Sequence, residues 1–286
     1  MSHMLIPKTY KLYINGTFAR SESGRTYQVF DKNQVFVANV ALASRKDARD
    51  AVVAARSAFS SWSGASAYNR GQVLYRIAEI LEGRREQFIA EILQAEGGGR
   101  ANAALQVNET IDTWVWYAGW ADKYAQVAGN TNPVTGPYFN LSVAEPTGVV
   151  SVIAPKRPSL LGFASAVAPV LVSGNTVVVI ASQPHPLPAL SLSEVLATSD
   201  IPKGAVNILS GNPAEISPWL ASHADINAIY LIGAGDLNWA DLQASAAATL
   251  KRVVPPEADN DVVSRSLERI LSFTEIKTVW HTKNLN

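Results

Sequence analysis

Four short stretches of this chain gather charge, hydroxyls and glycine at the point where an apolar run ends. They are Lys156-Arg157-Pro158-Ser159 after VVSVIAP, Ser182-Gln183-Pro184-His185-Pro186 after TVVVIA, Gly211-Asn212-Pro213 after AVNILS, and Gly233-Ala234-Gly235-Asp236 after INAIYLI. Lysine, arginine and serine side by side suit an oxyanion, which charge-assisted hydrogen bonds hold. Gly233-Ala234-Gly235 is a G-x-G without the third glycine of the phosphate-cradling pattern. Opening a helix, it would set an anion at that helix's amino end. The remaining chemistry is sparse. His185, His223 and His281 are far apart, and no pair has metal-ligand spacing, so they read as solvated or structural. No acid pair and no Ser/His/Asp set stands out. Cysteine is absent from the sequence, which removes a thiol nucleophile, thiolate metal sites, iron–sulfur clusters and disulfides together. Gly97-Gly98-Gly99 is not a P-loop: an apolar helical stripe precedes it and Arg100-Ala101 follows, where that motif needs a strand before and Lys-Ser/Thr after. It reads as a helix stop and loop.

The elements that must position the four stretches follow from periodicity. Val149–Ala154 and Thr176–Ile180 are nearly continuous Val/Ile runs, as expected of strands buried on both faces of a parallel sheet. Between them an apolar helix ends at Gly174-Asn175, which makes a complete crossover. The unit recurs with strands at Ala205–Leu209 and Ile226–Ile232 and helices at Pro188–Thr198, Pro213–Ser222 and Gly235–Leu250. This predicts a doubly wound α/β domain whose ligand loops lie at the carboxyl ends of the strands.

Upstream, Lys11–Phe18 alternates around Asn15-Gly16, a hairpin with a type I′ turn. Tyr27–Val40 is extended, Ser44 caps a helix with Asp47 in the box position, and Tyr68–Ala95 makes one or two helices. Ala101–Ala128 reads as one long helix carrying Trp114, Trp116, Tyr117, Trp120 and Tyr124, an aromatic stripe for a core or a subunit contact. Asn130–Pro137 is a loop and Tyr138–Ala144 an alternating strand. After a polar linker over Val254–Asp261 come a short helix, Val262–Leu271, and a terminal strand, Thr274–Thr282. That strand must pair with Tyr138–Ala144 or with an edge in another chain.

The chain has 286 residues, 48% apolar and 17% charged, with a net charge of zero. This fits a globular protein with ample core material and no electrostatic footprint for nucleic acid. Pro158–Pro184 carries no charge, but Pro169, Gly174 and Asn175 interrupt it, so it reads as a buried helix and strand and not as a membrane span. No signal peptide is evident, Met1-Ser2-His3-Met4 looks like a cloning scar, and the expected setting is cytoplasmic.

The phrases PTGVVSVIAP, APVLVSGNTVVV and IPKGAVNILSG, with YING near the start and FTEIKTVW near the end, resemble the aldehyde dehydrogenase superfamily in order and spacing. The resemblance covers about residues 10–250 and 265–282. It implies an NAD(P)-binding domain, Rossmann-like and doubly wound, over 5–134 and 148–253, with a small β oligomerisation hairpin and tail over 135–147 and 262–286. It implies NAD(P) as cofactor, and a degenerate cofactor site at Ile153, Pro155, Arg157, Ile180, Ser182, Gln183, Gly211, Gly233 and Ala234.

The departures from the pattern carry as much information. The family's nucleophilic cysteine has no counterpart here, and its Glu-Leu-Gly-Gly phrase is replaced by Leu250-Lys251-Arg252-Val253 running into the linker. On this alignment the catalytic domain is absent. Arg157 stands at the position of the Asn that helps hold the oxyanion. Ile180 replaces the Lys that meets the adenosine ribose, Gln183 replaces the Glu near it, and Ala234 a serine. Attack on an aldehyde needs an activated nucleophile and a stabilised oxyanion, and neither is encoded. The sequence therefore points first to a non-catalytic relative, similar to the truncated second module of two-module aldehyde dehydrogenases. Such a chain would be a structural or regulatory partner, in a homo-oligomer or in a complex with a full-length aldehyde dehydrogenase, with no nucleic acid or membrane partner. Trp114, Trp116, Trp120 and Trp280 are its expected contact residues. The alternatives are an NAD(P)-dependent aldehyde oxidoreductase component active only in a complex, and a module in which Lys156, Arg157 and Ser182 meet an anion or nucleotide.

Overall fold

The computed structural model describes residues 8–258 and 262–283. The expected tag at Met1–Met4, residues 5–7 and 284–286 of the expected domain and tail, and 259–261 of the linker lie outside the described residues. The chain opens with five short strands: β1 (Thr9–Tyr10), β2 (Leu12–Ile14), β3 (Thr17–Ala19), β4 (Thr26–Phe30) and β5 (Phe36–Ala41). The β2–β3 turn has φ of 52° at Asn15 and 70° at Gly16, the left-handed pair that a type I′ hairpin requires. Helix α1 (Arg45–Gly64) starts at a complete capping box: Ser44 Oγ accepts from Asp47 N, and Asp47 Oδ2 accepts from Ser44 N at 2.8 Å. The long stripe from Tyr68 to Ala95 divides at Arg84 into α2 (Ala67–Gly83) and α3 (Arg85–Ala95).

The single helix expected over Ala101–Ala128 is two. Helix α4 (Arg100–Trp120) ends, a turn over 121–123 intervenes, and α5 (Tyr124–Ala128) follows. Trp114 is fully buried and is not a surface contact. Trp116 lies two residues on, about 200° around the helix, so the two indoles cannot share a face. Trp116 and Trp120 do share one, with ring centroids 5.6 Å apart, and are half-buried against the core. Trp280 is 58% exposed.

Next come β6 (Asn130–Thr131), β7 (Tyr138–Pro146), β8 (Val149–Ile153), α6 (Ser159–Val172), β9 (Thr176–Ile180), α7 (Leu187–Leu196), β10 (Val206–Leu209), α8 (Pro213–Ser222), β11 (Ala228–Tyr230), α9 (Trp239–Ala247), β12 (Arg252–Val254), α10 (Leu267–Leu271) and β13 (Thr274–Thr282). The main sheet has the order β12-β11-β8-β9-β10-β2-β3, parallel from β12 to β10 and closed by the antiparallel hairpin. Alternate residues of β8 and β9 face opposite layers. Val150, Val152, Val177 and Val179 join one core with α2, α4, α6 and α7. Val149, Ile153, Val178 and Ile180 join the other with α1 and α8. This is the doubly wound arrangement.

Several expected boundaries move. Arg252–Val254 is a fifth parallel strand of the sheet, beside β11, and not the entry to the linker. The terminal helix covers only Leu267–Leu271, and the helix expected from Gly235 begins at Trp239. The last strand pairs within its own chain: β13 runs antiparallel to β7 over its whole length, in a sheet of order β13-β7-β6.

Candidate functional site at the carboxyl rim of the sheet

Strands β8, β9 and β10 step outward in one direction, and β11 then returns to the far side of β8. The order reverses between β8 and β11, and in open α/β sheets ligands bind in the crevice at that point. All nine expected site residues lie along this rim. Ile153, Pro155 and Arg157 end or follow β8; Ile180, Ser182 and Gln183 end or follow β9; Gly211 follows β10; Gly233 and Ala234 follow β11. The rim brings these loops together, but most of the residues do not face a ligand.

Ile153 and Ile180 are buried in the core, at 3% and 0% exposure. Ser182 Oγ donates to Lys156 O at 2.8 Å and accepts from His185 N, which ties the β9 loop to the β8 loop. Gly211 lies beneath Leu42, whose Cδ1 would stand 3.0 Å from a Cβ added there. Gly233 is pressed on the β8 loop: its N–H donates to Ile153 O at 2.9 Å, and an added Cβ would fall 2.2 Å from Ala154 O. The turn of Gly233-Ala234-Gly235 does not open a helix, because residues 236–238 separate it from α9. That expected anion position is therefore withdrawn. Across the crevice itself, Lys156 Nζ pairs with Asp236 Oδ2.

The amino end of α6, which faces the same rim, is also engaged from within. Ser159 N donates to Glu96 Oε1 at 2.8 Å, the Ser159 hydroxyl donates to the same oxygen, and Leu160 N donates to Gln106 Oε1 at 3.1 Å. A carboxylate at a helix amino end is favourable, and here the chain supplies its own. Nothing in the local sequence marked Glu96 for this, apart from its place directly before the glycine run that returns the chain toward α4.

Arg157 projects from the β8 loop, and its Nε donates to His185 Nε2 at 2.9 Å. The imidazole is thus neutral, with its proton on Nδ1. Burial, with the Arg157 cation beside it, holds its pKa below the usual histidine range, against an opposing pull from Glu96. Nδ1 is buried without a hydrogen-bond partner. Lys32 and Tyr27, from the β4–β5 hairpin, join Lys156, Arg157 and His185 around a cleft of about 670 Å³. Sequence reasoning did not single out Lys32 or Tyr27; the Asp31-Lys32-Asn33 turn was the available signal.

At the positions that the resemblance assigns to the ribose, a fully buried isoleucine stands in place of the lysine and the neighbouring hydroxyl is bonded to the main chain, and a lysine–aspartate pair bridges the crevice. Among the described residues no group of three or more His, Cys, Asp or Glu side chains could hold a metal ion. No helix among them is long and apolar enough to cross a membrane.

Residues 18–255 match the sequence profile of the aldehyde dehydrogenase family. The chain is 32% identical over 250 residues to cytosolic aldehyde dehydrogenase 1 of Elephantulus edwardii, covering 85% of this chain and 49% of that protein. It is 34% identical over 253 residues to human retinal dehydrogenase 2, with 86% and 48% covered. Against cytosolic 10-formyltetrahydrofolate dehydrogenase of Xenopus tropicalis it is 33% identical over 262 residues, covering 88% of this chain and 29% of that protein. Among solved structures, the NAD+ complex of aldehyde dehydrogenase from Bacillus cereus superposes with a TM-score of 0.80 at 27% identity, over 86% of this chain and 50% of that one. The chain spans about half or less of the length of the relatives it matches. With the parallel sheet, the rim and these likenesses together, the chain belongs to the aldehyde dehydrogenase family.

Proposed function

We propose that this chain is a non-catalytic aldehyde dehydrogenase-like protein that serves as a structural or regulatory partner of a full-length aldehyde dehydrogenase. The observation that carries the proposal is Arg157. It stands where the resemblance puts the oxyanion-holding Asn, and its Nε is bonded to a neutral histidine, in a chain that contains no cysteine. The cation is held by the histidine, and the thiol that the family's chemistry would need beside it is not encoded. In this proposal residues 5–134 and 148–253 act as the cofactor-type scaffold, residues 135–147 and 262–286 as the contact hairpin, and a catalytic domain comes from the partner. Two of the relatives carry "cytosolic" in their names, in keeping with a cytoplasmic setting. Contact falls to β13, whose outer edge is unpaired among the described residues and which presents Ile276 and Trp280 at 58% exposure each.

The test is sedimentation velocity of the chain mixed with a full-length aldehyde dehydrogenase, beside NADH formation from an aldehyde. A mixed species heavier than either component, with no turnover by the chain alone, is expected. Absence of association well above micromolar concentration removes the partner role, and turnover by the chain alone removes the non-catalytic one. The likeness to a structure solved with NAD+ favours a second role, an oxidoreductase component active only in the complex. Turnover in the mixture above that of the partner alone, with saturable NAD binding to this chain tighter than about 1 mM, some 4 kcal/mol, would assign it.

A further inference from the structure

We propose that the cleft between the β4–β5 hairpin and the loops after β8 and β9 is a binding site for a small phosphate-bearing ligand. This goes beyond the partner role and does not depend on it. The cleft holds about 670 Å³, within the range of small-molecule sites. Its charge is one-sided: Lys32, Lys156 and Arg157 line it, with the neutral His185, against a single carboxylate, Asp31. That carboxylate is already engaged, accepting from Asn33 N and Val35 N at 2.8 Å each in its own turn.

The donors are available and held. Arg157 uses Nε on His185, and among the described residues no hydrogen bond or ion pair reaches its two terminal nitrogens. These form the fork that binds oxyanions in two parallel bonds. Lys32 makes no ion pair among the described residues, and its stem packs beside Gly97, where an added Cβ would fall 3.0 Å from Lys32 Cδ. Any side chain at that glycine would displace the lysine. His185 Nδ1–H is a buried donor with no acceptor, a group that normally finds one.

An arginine fork, a second cation and an imidazole donor together supply about four bonds and two positive charges, which suit the three terminal oxygens and the double negative charge of a phosphate. Lys156 stands at the boundary with the β8/β11 crevice, where a phosphate competes with Asp236 for it. The other wall is apolar, with Val29 and the 41%-exposed ring of Phe30. That wall suits the organic part of a phosphate ester.

The test follows the imidazole resonances of His185, assigned by their loss in His185→Gln, while the intact chain is titrated at constant ionic strength with inorganic phosphate and with phenyl phosphate. Saturable displacement of His185 with His223 unmoved is expected, with phenyl phosphate about tenfold the tighter of the two. Arg157→Ala and Lys32→Ala should each weaken binding about tenfold. Arg49→Ala, a basic residue on α1 outside the cleft, should leave it unchanged. Equal affinity for the two probes would retain the site and assign it to the free anion. Displacement that rises linearly without saturation, or that survives both Arg157→Ala and Lys32→Ala, overturns the proposal.

Discussion

Gly233 lies against main chain on which no side chain can stand. A Cβ there would meet Ala154 O at 2.2 Å, Ala154 C at 2.4 Å and Pro155 N at 2.6 Å, all backbone atoms of the buried β8 exit. Neither strand end can retreat, since Gly233 N is itself bonded to Ile153 O. Gly233→Ala should cost about 1–3 kcal/mol through overpacking alone, read as a lower urea midpoint at unchanged slope. A wild-type midpoint would show that the β8 and β11 loops are looser than described.

A second residue sets a pH dependence. Burial raises the Glu91 carboxyl above the ordinary carboxylate range, only partly offset by bonds to Oε1 from Gln87 and Ser191, and Oε2 is buried without a partner. A raised carboxyl stabilises the fold below its unfolded pKa, near 4.5. That contribution is lost as pH rises through the folded value. The stability of the wild type relative to Glu91→Gln should therefore fall as pH rises from that point. A difference independent of pH would place Glu91 in contact with water.

At the scale of elements, Asn175 is the joint between the parallel sheet and the terminal strand. It is fully buried. Its Oδ1 accepts from Gly148 N at 2.6 Å, and its Nδ2 donates to Ser173 Oγ at 2.7 Å and to Phe273 O at 2.8 Å. One amide thus fixes the start of β8, the end of α6 and the residue before β13. Asn175→Ala leaves Gly148 N buried and unpaired, while Ser173 Oγ keeps Pro169 O and Val170 O and Phe273 O keeps Thr147 N, so a loss of about 1–3 kcal/mol is expected. Amide exchange should accelerate selectively along β7 and β13. Uniform acceleration through the main sheet would mean that the joint is not local.

How far these elements were legible differs between them for physical reasons. The Val/Ile runs of β8 and β9 announce their burial on both faces because a parallel strand between helix layers has no polar side to show. The Asn-Gly hairpin and the Ser44 cap were equally plain, since each is set by chemistry within a few residues. The starts of α9 and α10 were not, because Gly235-Asp236 and Val262-Val263 make local turns that apolar spacing does not register. Trp114 was expected among the contact residues of an aromatic stripe, although its two-residue offset from Trp116 puts the two on opposite faces.

On the scale of the whole molecule, the site was legible in its location and not in its content. The four loops expected at the carboxyl rim all lie there. Which side chains face outward depended on contacts from distant segments: Leu42 over Gly211, Glu96 and Gln106 at α6, and Lys32 beside Arg157. The same scale decides association. If β13 is the contact strand, Trp280→Ala combined with Ile276→Ser should weaken binding to a full-length aldehyde dehydrogenase about tenfold or more, each being an exposed apolar anchor. Retained affinity in sedimentation would move the contact to another surface.

The closure of the main sheet by β2 also has a consequence for synthesis. Asn15 N donates to Asn207 Oδ1, a partner 192 residues later, and Tyr13 aligns with Ile208 on β10. The hairpin thus leaves the ribosome long before the strand it must join. At about 5–20 residues per second it waits for roughly 10–40 s, carrying Leu12 and Tyr13 that the finished fold buries. A chain built this way completes its sheet late, and a chaperone that covers the first hairpin during that interval should raise the yield of folded protein more than one added after release.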